Sequence, residues 1–252
     1  MCIILGPVVS VSRTKLFVLP NKDKTRQMTF YSNAVHSHKL NMMILPVPKG
    51  DITLHTINYK EMFDHLKQSV ESLFKQPSNT TLSRSSAYAS ASNEPLLIIS
   101  HGSYLVSIAY VLEDLLRLDR RIFDLTPELF QFFQKNYTSE FSYICCVLKP
   151  GLEAYEPLCY SHPLHLSGTL FVPTMHYHNH GKKVETTFAD WDHLIYSIGT
   201  SEKANRLYKS NYSNSLVWSK FPSEFQKLQV SSVRCTGIKG HQKNEDLYLE
   251  LW

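Results

Sequence analysis

The spacing of apolar and polar residues predicts a chain built mostly from β-strands. Apolar segments at 14–20 and 26–33 flank the polar residues 21–24, which is the pattern of a β-hairpin. A further short buried strand is predicted at 41–48, where prolines end it. The closing residues 246–252 alternate leucines with Tyr, Glu and Trp, and this period of two is typical of a strand.

Two segments have the features of amphipathic helices. In residues 58–77, Asn58 is placed to cap the helix and Pro77 to end it. The apolar residues of this segment fall on one face at a 3.6-residue period, namely Tyr59, Met62, Phe63, Leu66, Val70, Leu73 and Phe74. We expect that face to pack on the preceding sheet. A second helix is predicted after Thr126, with Pro127 in its first position.

The most apolar stretch, residues 96–112, contains no formal charge. It is too short for a membrane span and is interrupted by Ser100, His101, Gly102 and Ser103, so two buried strands joined by a turn are predicted instead. Together these elements predict an α+β fold with a largely antiparallel β-sheet core and a few packed helices.

Composition limits the classes of function. The net charge is +4, and the basic residues are spread along the chain. The segment from Lys182 to Lys243 contains ten Lys or Arg and five Asp or Glu. Nucleic-acid binders concentrate their basic residues, so no specific nucleic-acid partner is expected. The five cysteines form no C-x-x-C pair, which favours a reducing, intracellular compartment. No signal peptide is expected at the amino terminus.

Several blocks occur in an order that resembles a family of uncharacterised, mostly bacterial proteins. The blocks are a Met-Cys start, SVSRTKLFV, RQMTFYSN, MMILPVP, HGSYLVSIAYVLEDLLRLD, SEFSYICCVLKPG, LFVPTMHYHNHGKK and FADWDHLIYS. The resemblance brings no activity. The elements predicted along the chain give a single α+β domain over 1–200 with a Ser-rich loop at 76–95, followed by a basic C-terminal extension at 201–252 that ends in a strand. The resemblance covers roughly residues 1–200, has no counterpart of that loop or of the last 50 residues, and supports a single domain with an appended tail. It also implies that His176, His178, Asp192 and His193 belong to the family pattern.

A histidine-rich strand is the first candidate site. His176, His178 and His180 would share one strand face, because side chains alternate along a strand. With His193 they could bind Zn²⁺ or Fe²⁺, which need three or four nitrogen or oxygen ligands. Asp192, His162 or His165 could complete the set. The alternative is a polar edge strand that runs into a turn and binds no metal.

Cys2 is the second candidate. If Met1 were removed, the thiol would lie beside its own amine, the arrangement of N-terminal-nucleophile amidohydrolases. The alternative is a small buried side chain in the first strand.

The function predicted from these observations is non-catalytic. Gly-rich phosphate loops, H-E-x-x-H and G-x-S-x-G are absent from the sequence. Aromatic residues make up 12% of the chain, enough for a contact surface as well as a core. We therefore expect a structural or interaction protein within a larger assembly, with protein partners contacting the Ser-rich loop and the basic tail. A metal-dependent enzyme and a Cys2 hydrolase remain as alternatives.

Overall fold

The computed structural model describes residues 2–57, 59, 61–71, 95–121, 125–179, 187–199, 211–212, 216–226 and 232–251. Its strands are β1 Cys2–Pro7, β2 Ser10–Pro20, β3 Arg26–Ser37, β4 Asn41–Pro48, β5 Thr53–Leu54, β6 Ile99–His101, β7 Tyr104–Ala109, β8 Phe141–Leu148, β9 Gly151–Ala154, β10 Leu158–Pro163, β11 Thr169–Val172, β12 His176–Asn179, β13 Phe188–Gly199, β14 Asn211–Tyr212, β15 Ser232–Lys243 and β16 Leu247–Glu250. Its α-helices are α1 Met62–Glu71 and α2 Pro127–Asn136, and 3₁₀ turns cover Leu112–Arg117, Trp218–Lys220 and Ser223–Phe225.

Two large sheets dominate the fold. The first has the strand order β12-β1-β4-β8-β7-β6, and the second has the order β14-β15-β13-β2-β3-β10-β5 with β9 also paired to β3. Among the described strand pairs, β1–β12 and β13–β2 are parallel and the others are antiparallel. The fold is thus mostly β with few helices, and its sheets are mixed in direction.

The second sheet is covered on both faces because its side chains alternate. Leu16 and Val18 of β2 join the core that lies against the first sheet, where they pack with residues such as Ile44 and Ile144. Phe17, which lies between them in sequence, points to the opposite face and belongs to a separate core. Side chains that follow one another along a strand therefore stabilise different layers.

Helix α1 covers the outer face of the second sheet, as its apolar stripe predicts. Met62, Phe63 and Leu66 are buried with Phe17 and Phe30. The start and end proposed for this helix, at Asn58 and Pro77, lie outside the described residues. The second predicted helix is confirmed as α2: Thr126 is its N-cap and accepts the Leu129 N–H at 3.3 Å.

The predicted hairpins are also confirmed. Strands β2 and β3 pair antiparallel around the polar turn, and β6 and β7 pair around Gly102. The expectation that both strands of the second hairpin are buried is wrong for the first of them, because β6 is only partly buried and Leu97 and Ile98 before it are exposed. Gly102 has φ +56°, a left-handed conformation that glycine adopts without strain. Within the described residues, no helix has the length and apolar character needed to span a membrane.

The predicted histidine-rich strand corresponds to β12, which contains His176 and His178, and His180 lies outside the described residues. The preceding strand β11 belongs to a different sheet, in which it pairs with β16. Strands from the predicted C-terminal extension pair with strands from earlier in the chain. Strand β15 pairs with β13 over twelve positions, and β16 pairs with β11. The division at residue 200 stays a prediction, and most of the Ser-rich loop lies outside the described residues.

Candidate functional site

His176 and His193 meet between the two sheets. His176 belongs to β12 in the first sheet and His193 to β13 in the second. Their ring centroids are 4.8 Å apart, and Trp191 lies 5.8 Å from the first ring and 5.1 Å from the second. Both histidines are buried, with 6% of His176 and 0% of His193 exposed. Strand β12 does lie at a sheet edge, but the His176 ring faces the interior and not the surface.

Backbone pairing and one side chain fix this position. His176 is the Cα register partner of Cys2 in the parallel pair β12–β1, and His193 is the partner of Thr14 in β2. The side chain of Asn244, from the C-terminal part of the chain, forms two hydrogen bonds with the His176 backbone. Its carbonyl oxygen accepts the His176 N–H at 2.6 Å, and its amide donates to the His176 carbonyl at 2.8 Å.

Burial keeps the His193 ring neutral. It lowers the pKa of this imidazole far below 6.5, and a positive charge on His176 would lower it further. Neither His193 ring nitrogen has a hydrogen-bond partner in the part of the chain that the structure describes. A buried neutral imidazole has a free lone pair, which is the form in which histidine binds a metal ion.

The structure brings together two of the three predicted metal ligands. The backbone of His178 lies in β12, but its side chain is not described. No group of three or more His, Cys, Asp or Glu with metal-binding geometry occurs among the described residues. The metal site at His176, His178 and His193 therefore stays a prediction, as does its Zn or Fe.

The other residues suggested as ligands lie elsewhere. Asp192 precedes His193 in β13, is exposed and accepts the Arg13 N–H at 3.3 Å. His162 is buried beside Tyr160, with its Nδ1 2.7 Å from the Pro163 carbonyl. His165 packs on Phe141 with ring centroids 5.0 Å apart.

The cysteines with described side chains have no features of nucleophiles. Cys145, Cys146 and Cys159 are free and buried, and burial raises the pKa of each thiol. Thiolates are the reactive form, so these three thiols are inert at neutral pH. Cys2 opens β1, but its side chain is not described.

A cavity of about 330 Å³ with both polar and apolar lining residues was not predicted from the sequence. Its described lining includes His55, Tyr59, His101, Tyr104 and Glu156, which come from three separate parts of the chain. Tyr104 donates to the Glu156 carbonyl at 3.0 Å, and burial lowers the pKa of His101. Of the Ser-His-Gly-Ser sequence at 100–103, Ser100 and His101 end β6 and the last two residues form the turn, and nothing in it signals a cavity.

Two side chains of this cavity, His55 and Tyr59, form hydrogen bonds within the protein. The His55 Nε2 lies 2.8 Å from the Ser161 hydroxyl, and Ser161 is fully buried, so this pair is not an accessible nucleophile and base. The Tyr59 hydroxyl accepts the Val217 N–H at 2.8 Å, and burial is the main cause that raises its pKa to about 12. The cavity can hold a polar ligand, but its geometry suggests no reaction.

Comparison with known proteins identifies the fold. No protein-family model and no curated protein sequence matches the chain. The chain is similar in structure to baculovirus P35, with a TM-score of 0.51, 15% identity and 99% of each chain covered. It is also similar to a mutated baculovirus P35 after caspase cleavage, with a TM-score of 0.49, 12% identity and coverage of 97% and 99%. P35 in a caspase-8/P35 complex gives a TM-score of 0.49, 15% identity and coverage of 95% and 96%. The chain therefore has a fold similar to that of baculovirus P35 over nearly its whole length.

Proposed function

We propose that this chain is a non-catalytic protein that acts by binding another protein. The observation that supports this most is the match to baculovirus P35 across 99% of both chains. A match of that extent includes the sheets, the helices and the C-terminal strands together, and not one common substructure. Fold alone does not determine function, so the proposal needs a direct test.

The partner we propose is a protease of the caspase class. P35 has been solved in complex with caspase-8, and that complex is a property of P35. Two sheets with buried faces provide a rigid frame, and a rigid frame reduces the conformational entropy lost when a partner binds. Such a frame suits a binding protein more than an enzyme whose site must close around a substrate.

The direct test uses purified chain and active caspase-8. We expect the two proteins to co-elute on size exclusion at micromolar concentrations and caspase hydrolysis of a peptide substrate to fall. Baculovirus P35 is the positive control. If neither caspase-8 nor other caspases co-elute with the chain, while P35 does in the same buffer, the caspase proposal is wrong.

A metal-dependent enzyme is the second candidate, and one contact favours it. The His176 and His193 rings lie 4.8 Å apart in the interior, and the His193 nitrogens have no hydrogen-bond partner in the described structure. Metal analysis of the purified protein tests it, with His176→Ala and His178→Ala beside the exposed control His241→Ala. Stoichiometric Zn or Fe that only the first two variants lose would support this candidate.

The N-terminal-nucleophile alternative depends on removal of Met1. Cys2 does begin a strand, as that chemistry requires. Intact-mass spectrometry of the protein from its native source tests the alternative, because a retained Met1 leaves Cys2 without a free amine.

A further inference from the structure

A second concave surface lies between the 3₁₀ turn Leu112–Arg117 and helix α2. It encloses about 650 Å³, within the range of small-molecule sites. Its described lining combines leucines, a proline and a phenylalanine with Arg120, Thr126 and two glutamines. We call it the α2 groove.

Apolar side chains form the buried floor of the α2 groove and part of its walls. Leu115 and Leu118 are buried in the main core and form the part of the lining that is fixed in place. Leu116 is 52% exposed, and the half-buried Phe130 faces the same space from α2. Apolar side chains that line a concavity and remain open to water gain free energy when an apolar ligand covers them.

Of the described residues that line the α2 groove, Arg120 is the one with an ionisable side chain. The two arginines nearest to it in sequence are paired: Arg117 donates to Asp114 at 2.7 Å, and Arg121 donates to Asp119 at 2.5 Å. Arg120 forms no hydrogen bond or ion pair with any of the described residues. Its guanidinium is therefore available to a ligand, and it favours an anionic group.

The amino-terminal end of α2 adds to this preference. Thr126 and Pro127 line the α2 groove, and the first turn of a helix has partial positive charge. Gln131 contributes an amide that can donate a hydrogen bond. Among the described residues that line the groove, none is a carboxylate, so the charged side chain that they offer to a ligand beside the buried leucines is that of Arg120.

We propose that the α2 groove binds an amphiphile with an unbranched acyl chain and a carboxylate head, the chemistry of a medium-chain fatty acid. The acyl chain lies against Leu115, Leu116 and Phe130, and Arg120 binds the carboxylate. A small ligand fits better than a protein surface, because the lining has ten residues and a protein interface uses roughly 20–30 on each side. This site is separate from the proposed protein-binding function.

Calorimetric titration of the full chain with decanoate, below its micellar concentration and at pH 8, tests the proposal. We expect one molecule bound with a Kd of about 10–100 μM, and at least tenfold weaker binding by Arg120→Gln. Decanol, which lacks the charge, should bind the wild type and Arg120→Gln equally. Leu116→Asp should abolish binding, because it places a carboxylate beside the acyl chain.

Two variants control for changes that do not concern the groove. Leu166→Asp alters a leucine of nearly the same exposure, 51%, outside the groove, and Arg121→Gln removes the neighbouring arginine that is paired with Asp119. Both should bind decanoate like the wild type, and circular dichroism should show all variants folded. Absence of saturable binding to the wild type, or equal affinity in Arg120→Gln, would overturn the proposal. Either result leaves the caspase experiment unaffected.

Discussion

The Tyr137 hydroxyl donates to the Asp246 carboxylate over 2.8 Å and so joins the end of α2 to the C-terminal segment. The same carboxylate accepts the backbone N–H groups of Thr174 and Met175, each at 2.7 Å. Burial raises the pKa of Asp246, and the three donated hydrogen bonds oppose that effect. This contact orders the backbone that leads directly into His176.

Replacing Asp246 by Ala should destabilise the protein strongly. The change leaves two backbone N–H groups and the Tyr137 hydroxyl without their acceptor in the interior, so we expect a loss of about 3 kcal/mol in the free energy of unfolding. Urea denaturation measures it. Asp190→Ala is the control, because Asp190 is exposed and its pair with His241 should contribute little. Equal midpoints for the two variants would contradict the prediction.

The stability of the protein should fall as the pH falls from about 6.5 to 4. Burial lowers the pKa of His162 from 6.5 to about 4, so between these values the unfolded chain binds a proton that the folded chain does not. The contribution of His162 to the free energy of unfolding is fully present above pH 6.5, and roughly 3 kcal/mol of it is lost by pH 4.

The measurement is urea unfolding at several pH values for the wild type and His162→Gln. The slope between pH 6.5 and 4 should be smaller in the variant. The remaining slope should include His193, whose pKa is also lowered by burial, and an opposite contribution from Asp246, whose pKa burial raises. His241→Gln is the exposed control and should keep the wild-type slope. An unchanged slope in His162→Gln would contradict the prediction, because it would mean that the pKa of His162 is the same in the folded and the unfolded state.

Gly50 is required for close packing as well as for its backbone conformation. It has φ +137°, and a Cβ added there would lie 2.7 Å from Cγ of Pro163. Gly168 also has positive φ, at +74°, but no atom lies within 4 Å of its added Cβ. We expect Gly168→Ala to cost roughly 1–2 kcal/mol and Gly50→Ala at least about 1 kcal/mol more. Thermal melts of both variants test this order, and equal melting temperatures would contradict it.

Phe221 tests whether the predicted extension at 201–252 folds independently. Its ring is fully buried and contacts Phe17 and Phe30 of the second sheet, with centroids 6.4 Å and 5.6 Å away. Phe221→Ala should cost about 3–5 kcal/mol and keep a single unfolding transition. Phe188→Ala is the control, because Phe188 is exposed. Two separate transitions in the Phe221 variant would support an independent module.

The buried thiols should resist alkylation. Cys145, Cys146 and Cys159 have pKa values raised by burial, so brief iodoacetamide treatment at pH 8 should leave them unmodified in the native protein and label them in urea. Peptide mass spectrometry measures each site, and Cys235, which is only partly buried, is the internal comparison. Native labelling of Cys159 at the rate seen in urea would contradict this prediction.

Local elements were determined by the sequence itself. The N-cap at Thr126, the turn at 21–24 and the apolar stripe of α1 depend on neighbours within a few residues, and the structure confirms each of them. Alternation along β16 also holds, since Leu247 and Leu249 are partly buried while Tyr248 and Glu250 are exposed. Such patterns are visible in sequence because the interactions that produce them are short in range.

Tertiary structure alone decided which distant residues meet. The His176–His193 contact, the clamps at Asn244 and Asp246 and the α2 groove around Arg120 join residues that are far apart in the chain or belong to different elements. The sequence marked both histidines as candidates and left open whether His176 belongs to a metal site or to a polar edge strand, and in the structure β12 is an edge strand whose His176 ring is buried in the interior. Strand order and sheet packing depend on the burial of all apolar side chains together, so no local pattern specifies them.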